Sequence, residues 1–327
     1  MRSSFIDFEK ISDPVVFQAH ALKLFEYQFE HNSVYRSYCD LINRNPSDVN
    51  TIEDIPFLPI QFFKSHKICS LPKAPKRFFK SSGTTGQIRS KHYVYELELY
   101  EKSFELGYKR FYGDPKEYAI IALLPSYLER ENASLVYMTE RLIQRTNHPS
   151  SGFYLNEWKQ LEKVLIDLEK KQQKTLLIGV TFALLDAIDR FSFDMKHTII
   201  METGGMKGMR KEWIRSALHD HLKKGFGVDY IHAEYGMTEL LSQAYSKGDG
   251  LFYSPPWMHV LSRAPEDPFE ILPYGKSGGL NIIDLANIDS CAFIATQDLG
   301  VVYSDGGFEV MGRFDQAEVR GCNLMVI

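Results

Sequence analysis

Thr175-Leu176-Leu177-Ile178-Gly179-Val180, with helix-forming sequence from Leu184 to Phe191 just beyond it, is the stretch that decides the fold class. A short apolar run bounded by polar residues and followed by a helical segment reads as a buried strand. The pairing recurs. Tyr118–Leu124, His197–Met201 and Asp229–Ala233 are further short apolar runs, and Glu212 to Leu222 has helical features. Strands alternating with helices predict an α/β core with a mostly parallel sheet covered by helices. Upstream, Val16, Leu22, Phe25, Phe29 and Tyr38 recur at helical spacing between Asp13 and Ile42, with Asp13-Pro14 as a cap and first-turn signal. This predicts a helical N-terminal region over 1–54. Ile55–Ile60 and Leu71–Pro75 are Pro-rich and extended, and lead into a core expected over 55–250. Beyond about Leu251 the texture changes to Pro, Gly and short alternating runs such as Gly279–Asp284 and Cys291–Thr296. A smaller, more antiparallel β subdomain is expected over 251–327.

The composition excludes several classes of function. The chain has 327 residues, 44% hydrophobic and 24% charged, with formal net charge -4. That is the balance of an ordinary globular protein, neither disordered nor built for general nucleic-acid binding. Charged residues appear within the first seven positions, and no apolar run approaches the roughly 20 residues of a membrane span. A cytoplasmic protein without a membrane span is expected. Cys39, Cys69, Cys291 and Cys322 lie far apart and suggest neither a disulfide framework nor a zinc ribbon. His219 and His221 flank Asp220 two positions apart, a spacing that does not share a helix face and reads as a solvated helix, not a metal site.

Five motifs carry chemistry. Ser81-Ser82-Gly83-Thr84-Thr85-Gly86 offers backbone N–H groups and hydroxyls with little bulk, and such a loop can fold around phosphate oxygens. A flexible surface turn is the plain alternative. Around it stand Lys64, Lys67, Lys73, Lys76, Arg77, Lys80, Arg89 and Lys91 with no acidic residue between Lys64 and Lys91, which suits a polyanionic ligand or forms a solvated basic face. Glu234-Tyr235-Gly236-Met237-Thr238-Glu239 follows a strand and is placed to open a helix. Its ring, hydroxyl and carboxylate can stack on a base, bond a phosphate oxygen and hold Mg²⁺. Alternatively Tyr235 packs, Thr238 caps and Glu239 is solvated in a first turn. Glu202-Thr203-Gly204-Gly205 makes either a close approach to a flat ligand or a plain turn. Gln297-Asp298-Leu299-Gly300 and Gly312-Arg313-Phe314-Asp315 supply an Asp and an Arg for ribose hydroxyls or for a structural ion pair.

In this order the motifs resemble the series of the adenylate-forming superfamily of acyl-CoA synthetases, luciferases and peptide-synthetase adenylation domains, over roughly residues 55 to 322. Within it, the Glu-Thr-Gly-Gly wording, Pro255-Pro256-Trp257 and the ending Glu318-Val319-Arg320-Gly321-Cys322 are most similar to the acyl-protein synthetase (LuxE-type) family. The resemblance implies the large N-terminal-type domain of such enzymes, with ATP and Mg²⁺ as cofactors. It implies that Ser81 to Gly86 cradle the ATP phosphates, and that Tyr235 stacks on adenine, whose edge meets Gly204 and Gly205. Thr238 would contact the α-phosphate and Glu239 would hold Mg²⁺, while Asp298 would bond the ribose hydroxyls, Arg313 would reach ribose or phosphate, and Asp315 would mark the hinge.

Two departures stand out. Gln87-Ile88-Arg89-Ser90-Lys91 replaces the usual Pro-Lys-Gly continuation, leaving Arg89 or Lys91 to serve the phosphates. The sequence also ends at Ile327, six positions after Gly321, where most of the superfamily continues into a mobile C-terminal domain; that domain is expected to be absent. The expected function is ATP-dependent conversion of a carboxylic acid, a fatty acid first, to an acyl-adenylate, then acyl transfer to a thiol. That thiol belongs to a partner protein, an acyl carrier protein or CoA, with Cys322 as candidate acyl acceptor on the chain itself. A phenylacetate-type CoA ligase and a non-catalytic nucleotide-binding subunit are the alternatives. Phe78, Phe79, Tyr127, Phe182 and Trp257 line an acyl pocket or belong to the core.

Overall fold

Asp13 starts the first helix, Pro14–His31, by accepting hydrogen bonds from the backbone N–H groups of Val15 and Val16 at 2.9 and 3.0 Å. In the computed structural model, which describes residues 6–82, 88–124, 132–155, 157–204 and 214–314, the predicted N-terminal helical region is two helices. Asn32 divides them. Its extended backbone closes the first helix, and its side chain accepts from Tyr35 N–H at 3.1 Å to cap the second, Ser33–Leu41. Phe17, Ala21, Leu24, Phe25, Gln28 and Phe29 form the buried face of the first helix. Buried Gln28 is fully used: its amide donates to the carbonyls of Asn287 and Ile288 at 2.8 and 2.9 Å and accepts from Ala292 N–H at 2.9 Å. Asn32 donates to Ser290 O at 2.9 Å. Together the two amides fix the 287–292 loop, whose backbone polar groups would otherwise be buried without partners.

The described residues fall into two compact units, one drawn from Met1–Ser103, Thr238–Ser242 and Tyr253–Ile327, the other from Phe104–Met237 and Gln243–Phe252. In the first, strand β1 (Leu58–Pro59) precedes a hairpin of β2 (Arg77–Lys80) and β3 (Lys91–Val94). The helix Leu97–Tyr112, not foreseen in the sequence, follows. Its inward face is Tyr100, Phe104 and Tyr108, four residues apart and at most 2% exposed.

The second unit holds the α/β sheet. Strands β4 (Ala119–Leu123), β5 (Gly152–Phe153), β6 (Thr175–Val180), β7 (Thr198–Thr203), β8 (His232–Tyr235) and β9 (Ala244–Ser246) lie in the order β5-β4-β6-β7-β8-β9. All neighbours are parallel except β8 and β9. Every residue of β4 and β6 is buried, as expected of parallel strands covered on both faces. Helices Ser134–Thr146, Trp158–Lys170, Thr181–Arg190 and Arg215–Phe226 alternate with these strands.

The short strand β10 (Leu251–Phe252) ends this unit, and the chain returns to the first. There β11 (Met258–Arg263), β12 (Ser277–Asp284), β13 (Phe293–Val302) and β14 (Phe308–Arg313) run antiparallel in the order β14-β13-β12-β11, and β1 joins β13 in parallel through Leu58 opposite Ile294. This is the antiparallel texture that the sequence beyond Leu251 predicts. Asp315, Cys322 and the rest of 315–327 lie outside the described residues.

Candidate active site

Hairpin β2–β3 presents the Ser/Thr/Gly loop. Ser81 and Ser90 close its base: Ser81 N–H donates to Ser90 O at 3.1 Å, and Ser90 N–H donates to the Ser81 hydroxyl at 3.0 Å. The strands alternate as a pleat requires, with Phe79 and His92 buried opposite one another, and with Phe78 opposite Tyr93 and Lys80 opposite Lys91 on the other face. Ser81 and Ser82 are half-buried; Gly83, Thr84, Thr85 and Gly86 lie outside the described residues. Of the basic run, Lys73 and Lys76 are spent on ion pairs with Glu96 and Glu98. Lys64, Lys67, Lys80, Arg89 and Lys91 instead line a cleft of about 480 Å³.

Thr238 and Glu239 sit in a tight turn of the same unit, and no helix follows them. The expected helix start is absent because long-range partners take the turn's backbone groups. His92 Nδ1 lies 2.8 Å from Thr238 O, and the Asn287 amide donates to Glu239 O at 2.7 Å while its Oδ1 lies 2.9 Å from His92 Nε2. Asp284 accepts from Leu241 N–H, Ser242 N–H and the Ser242 hydroxyl at 2.7, 3.0 and 2.6 Å. Burial pushes the pKa of His92 down to about 4, opposed by its hydrogen bonds to Thr238 and Asn287. The 238–242 segment is thus held at four points before any ligand arrives.

Glu239 is 5% exposed, so the solvated first-turn reading fails. The Ser90 hydroxyl donates to its carboxylate, linking the turn to the base of the hairpin loop. Burial raises the Glu239 pKa above the ordinary carboxylate value; Ser90 opposes that shift, Asp298 adds to it and Lys64 opposes it. A carboxylate kept at such cost, with a second acid near enough to be felt, is a fitting donor for a hard cation that shares its shell with phosphate oxygens. Among the described residues no group of three or more His, Cys, Asp or Glu could hold a metal alone. Asp298 stands directly opposite Arg313 across β13–β14, and Arg313 donates to the Gln297 side chain at 2.8 Å. Glu239, Thr238, Ser81, Ser82, Asp298 and Arg313 all belong to the first unit.

The remaining predicted residues lie in the second unit. Gly204 ends β7 with φ of +65°, a left-handed conformation that suits glycine, and its carbonyl accepts from the Thr181 hydroxyl at 3.0 Å. Gly205 lies outside the described residues. Tyr235 is half-buried at the end of β8 with its ring 5.9 Å from that of Phe252. A Cβ at Gly236 would crowd the Glu234 carboxylate, so a larger residue there requires that side chain to shift. Thr203 donates to Glu234, and Thr181 to Glu202, so both acids beside these motifs are tied to the sheet ends. His219 is not on a solvated face as its sequence predicted: it is buried with Nε2 3.0 Å from Glu202. Of the acyl-pocket candidates, Phe79 and Trp257 are core, with Trp257 Nε1 donating to Ser103; Phe78 and Phe182 are half-buried, and Tyr127 lies outside the described residues. The cavity bounded by Tyr108, Met138, Leu142 and Tyr245 measures about 10 Å³, room for a water and not for an acyl chain.

The family model for acyl-protein synthetase, LuxE, matches residues 7–327. The chain belongs to the LuxE acyl-protein synthetase family. This is the family that the order of its motifs resembles, and it makes the chain an acyl-protein synthetase. Relatives include the long-chain-fatty-acid–luciferin-component ligases of Aliivibrio fischeri, 25% identical over 98% of this chain and 89% of the relative, and of Vibrio harveyi, 22% identical over 92% and 84%. Among solved structures, ATP-bound MatB from Rhodopseudomonas palustris is similar with a TM-score of 0.54 and 18% identity over 72% of this LuxE-family chain and 47% of MatB. An open conformation of 2-hydroxyisobutyryl-CoA ligase, in complex with 2-HIB-AMP and CoA, is similar with a TM-score of 0.69 and 12% identity over 92% of this chain and 70% of the ligase. The chain thus spans about half the length of MatB, and these likenesses establish that it shares the fold of these two proteins.

Proposed function

We propose that this synthetase activates a fatty acid with ATP and delivers the acyl group to a thiol. The carboxylate oxygen attacks the α-phosphorus of ATP, the bond to the β-phosphate oxygen breaks, and pyrophosphate leaves. A thiolate then attacks the acyl carbon, and AMP leaves with the bonding pair. Attack brings two anions together, so the site must supply positive charge and hydrogen-bond donors where charge accumulates. The observation that carries the reading is the braced Thr238–Glu239 turn, whose buried carboxylate is bonded to Ser90 at the base of the Ser/Thr/Gly loop.

In this proposal Ser81 to Gly86 hold the phosphates and the Thr238 hydroxyl contacts the α-phosphate. Tyr235 stacks on adenine, whose edge meets Gly204 and Gly205, while Asp298 and Arg313 take the ribose. Glu239, near Asp298, would hold Mg²⁺. The ion would neutralise phosphate charge during attack. Placement in the cytoplasm remains part of the proposal; among the described residues no helix is long and apolar enough to cross a membrane.

Cys322 is the proposed on-chain acyl acceptor. Burial pushes the thiol pKa of Cys39 up to about 12 and raises that of Cys291 further, which withdraws both from nucleophilic chemistry. Incubation with MgATP and radiolabelled fatty acid is expected to give a hydroxylamine-labile label on the wild-type chain that Cys322→Ser loses while still forming acyl-adenylate. Equal labelling of the variant would move the acceptor to Cys69, whereas adenylate without label on either chain would leave an external thiol as the acceptor. Absence of both label and adenylate over a broad panel of acids would overturn the activity itself.

A further inference from the structure

Four lysines on the outer side of the hairpin make no ion pair among the described residues. Lys64 comes from the short helix Phe62–Ser65, Lys67 from the segment just after it, and Lys80 and Lys91 from β2 and β3. Lys73 and Lys76, in the same basic run, are neutralised by Glu96 and Glu98 at 2.9 to 3.3 Å. The contrast is selective: the acids of this region are used up away from the cleft. Lys80 and Lys91 are also directly opposed in the strand register, an arrangement that destabilises a two-stranded hairpin unless something negative lies between the charges. The cleft they share, about 480 Å³, is large enough for a diphosphate group and has Phe63 and Tyr93 among its walls. Lys67 Nζ lies 5.5 Å from the Tyr93 ring centre, which holds one ammonium at the cleft wall. Among the described residues no carboxylate lines the cleft. Lys64 is also among the charges that act on Glu239, which relates the cleft electrostatically to the proposed reaction centre.

We propose that this cleft is an anion site for a phosphate-bearing group, with Lys64, Lys67, Lys80 and Lys91 as its ligands. Two sources share that chemistry: the pyrophosphate released from ATP, and the phosphates of a nucleotide-bearing thiol acceptor. Converging, unneutralised ammonium groups suit a multiply charged ligand, because each contributes to the same potential and none is discharged by the protein itself. Binding should weaken steeply with salt, as expected of attraction between partly exposed charges.

The site is tested by calorimetric titration of the full chain with inorganic pyrophosphate and, separately, with adenosine 3′,5′-bisphosphate. Lys67→Ala/Lys91→Ala is expected to lose about tenfold or more in affinity for the ligand the cleft serves, with a melting temperature no lower than that of the wild type, because both side chains are exposed and the Lys80–Lys91 repulsion is relieved. Lys276→Ala, an exposed lysine elsewhere in the same unit, is expected to bind as the wild type does. Selective loss of pyrophosphate affinity, with a matching rise in KM for ATP, assigns the cleft to ATP; selective loss of the bisphosphate assigns it to the acceptor. Binding of both probes unchanged in the double variant, or no binding of either by the wild type, overturns the site. The cleft assignment rests on the acyl-activation reading only for its biological ligand. Direct binding is measured without turnover, so the site can stand if that reading falls.

Discussion

Glu239→Gln is expected to lower acid-dependent exchange of pyrophosphate into ATP by about a hundredfold or more while leaving the protein folded and more heat-stable at neutral pH. The side chain keeps its shape and loses only its charge. If that charge anchors the cation among the ATP phosphates, its loss removes several kcal/mol of transition-state stabilisation, whereas loss of a surface carboxylate costs under about 1 kcal/mol. The stability gain follows from burial. Glu239 has its folded-state pKa raised, chiefly by desolvation. Between the ordinary carboxyl value and that raised value the native state holds a proton that the unfolded state has released, so stability falls as pH rises through this window. Gln escapes the penalty. Melting temperatures at about pH 7.5 should therefore favour the variant, and those at about pH 3, below the ordinary Glu value and so with the carboxyl protonated in both states, should converge. Retained exchange, or a variant less stable at neutral pH than the wild type, would show that the carboxylate is held for structure instead.

Asp284→Ala is expected to be the most destabilising single change at the site. Asp284 is fully buried and accepts from Leu241 N–H, Ser242 N–H, the Ser242 hydroxyl and Ala286 N–H, the last at 3.1 Å. Truncation leaves three buried N–H groups without an acceptor, each costing about 1–3 kcal/mol before relaxation, and the Ser242 hydroxyl with only the Ser103 hydroxyl at 3.0 Å. A net loss of roughly 4 kcal/mol or more should appear as a lower urea midpoint, and a protein of ordinary stability could fail to fold. Asp284→Asn retains one acceptor oxygen and should fall between the two. A loss below about 1 kcal/mol for Asp284→Ala would mean that water replaces the carboxylate and that the 238–242 segment is not held as described.

The α/β core was legible because its strands are buried on both faces. Thr175–Val180 is a strand with those bounds, since nothing polar interrupts it before the sheet ends. The Asp229–Ala233 run was misplaced: Asp229 and Tyr230 are exposed, and pairing begins only at His232. The helix Leu97–Tyr112 escaped notice because its buried stripe is largely tyrosine, a residue that serves surface and core alike. At the site, the motif residues were found from their spacing, and the groups that hold them were not. His92, Asn287 and Asp284 act on the 238–242 turn from 42 to 146 positions away. No local pattern marks such partners. The same distance explains why a motif that reads locally as a helix start is a turn: His92 and Asn287 capture the carbonyls of Thr238 and Glu239.

The central claim is that this chain itself makes an acyl-adenylate. A single-turnover incubation of purified protein with ATP, Mg²⁺ and a panel of fatty acids, without any thiol acceptor and read by mass spectrometry, tests it directly. Accumulation of acyl-AMP with release of one pyrophosphate per adenylate is the predicted result. ATP binding without adenylate for any acid in the panel would contradict it and leave a nucleotide-binding regulatory subunit as the better description.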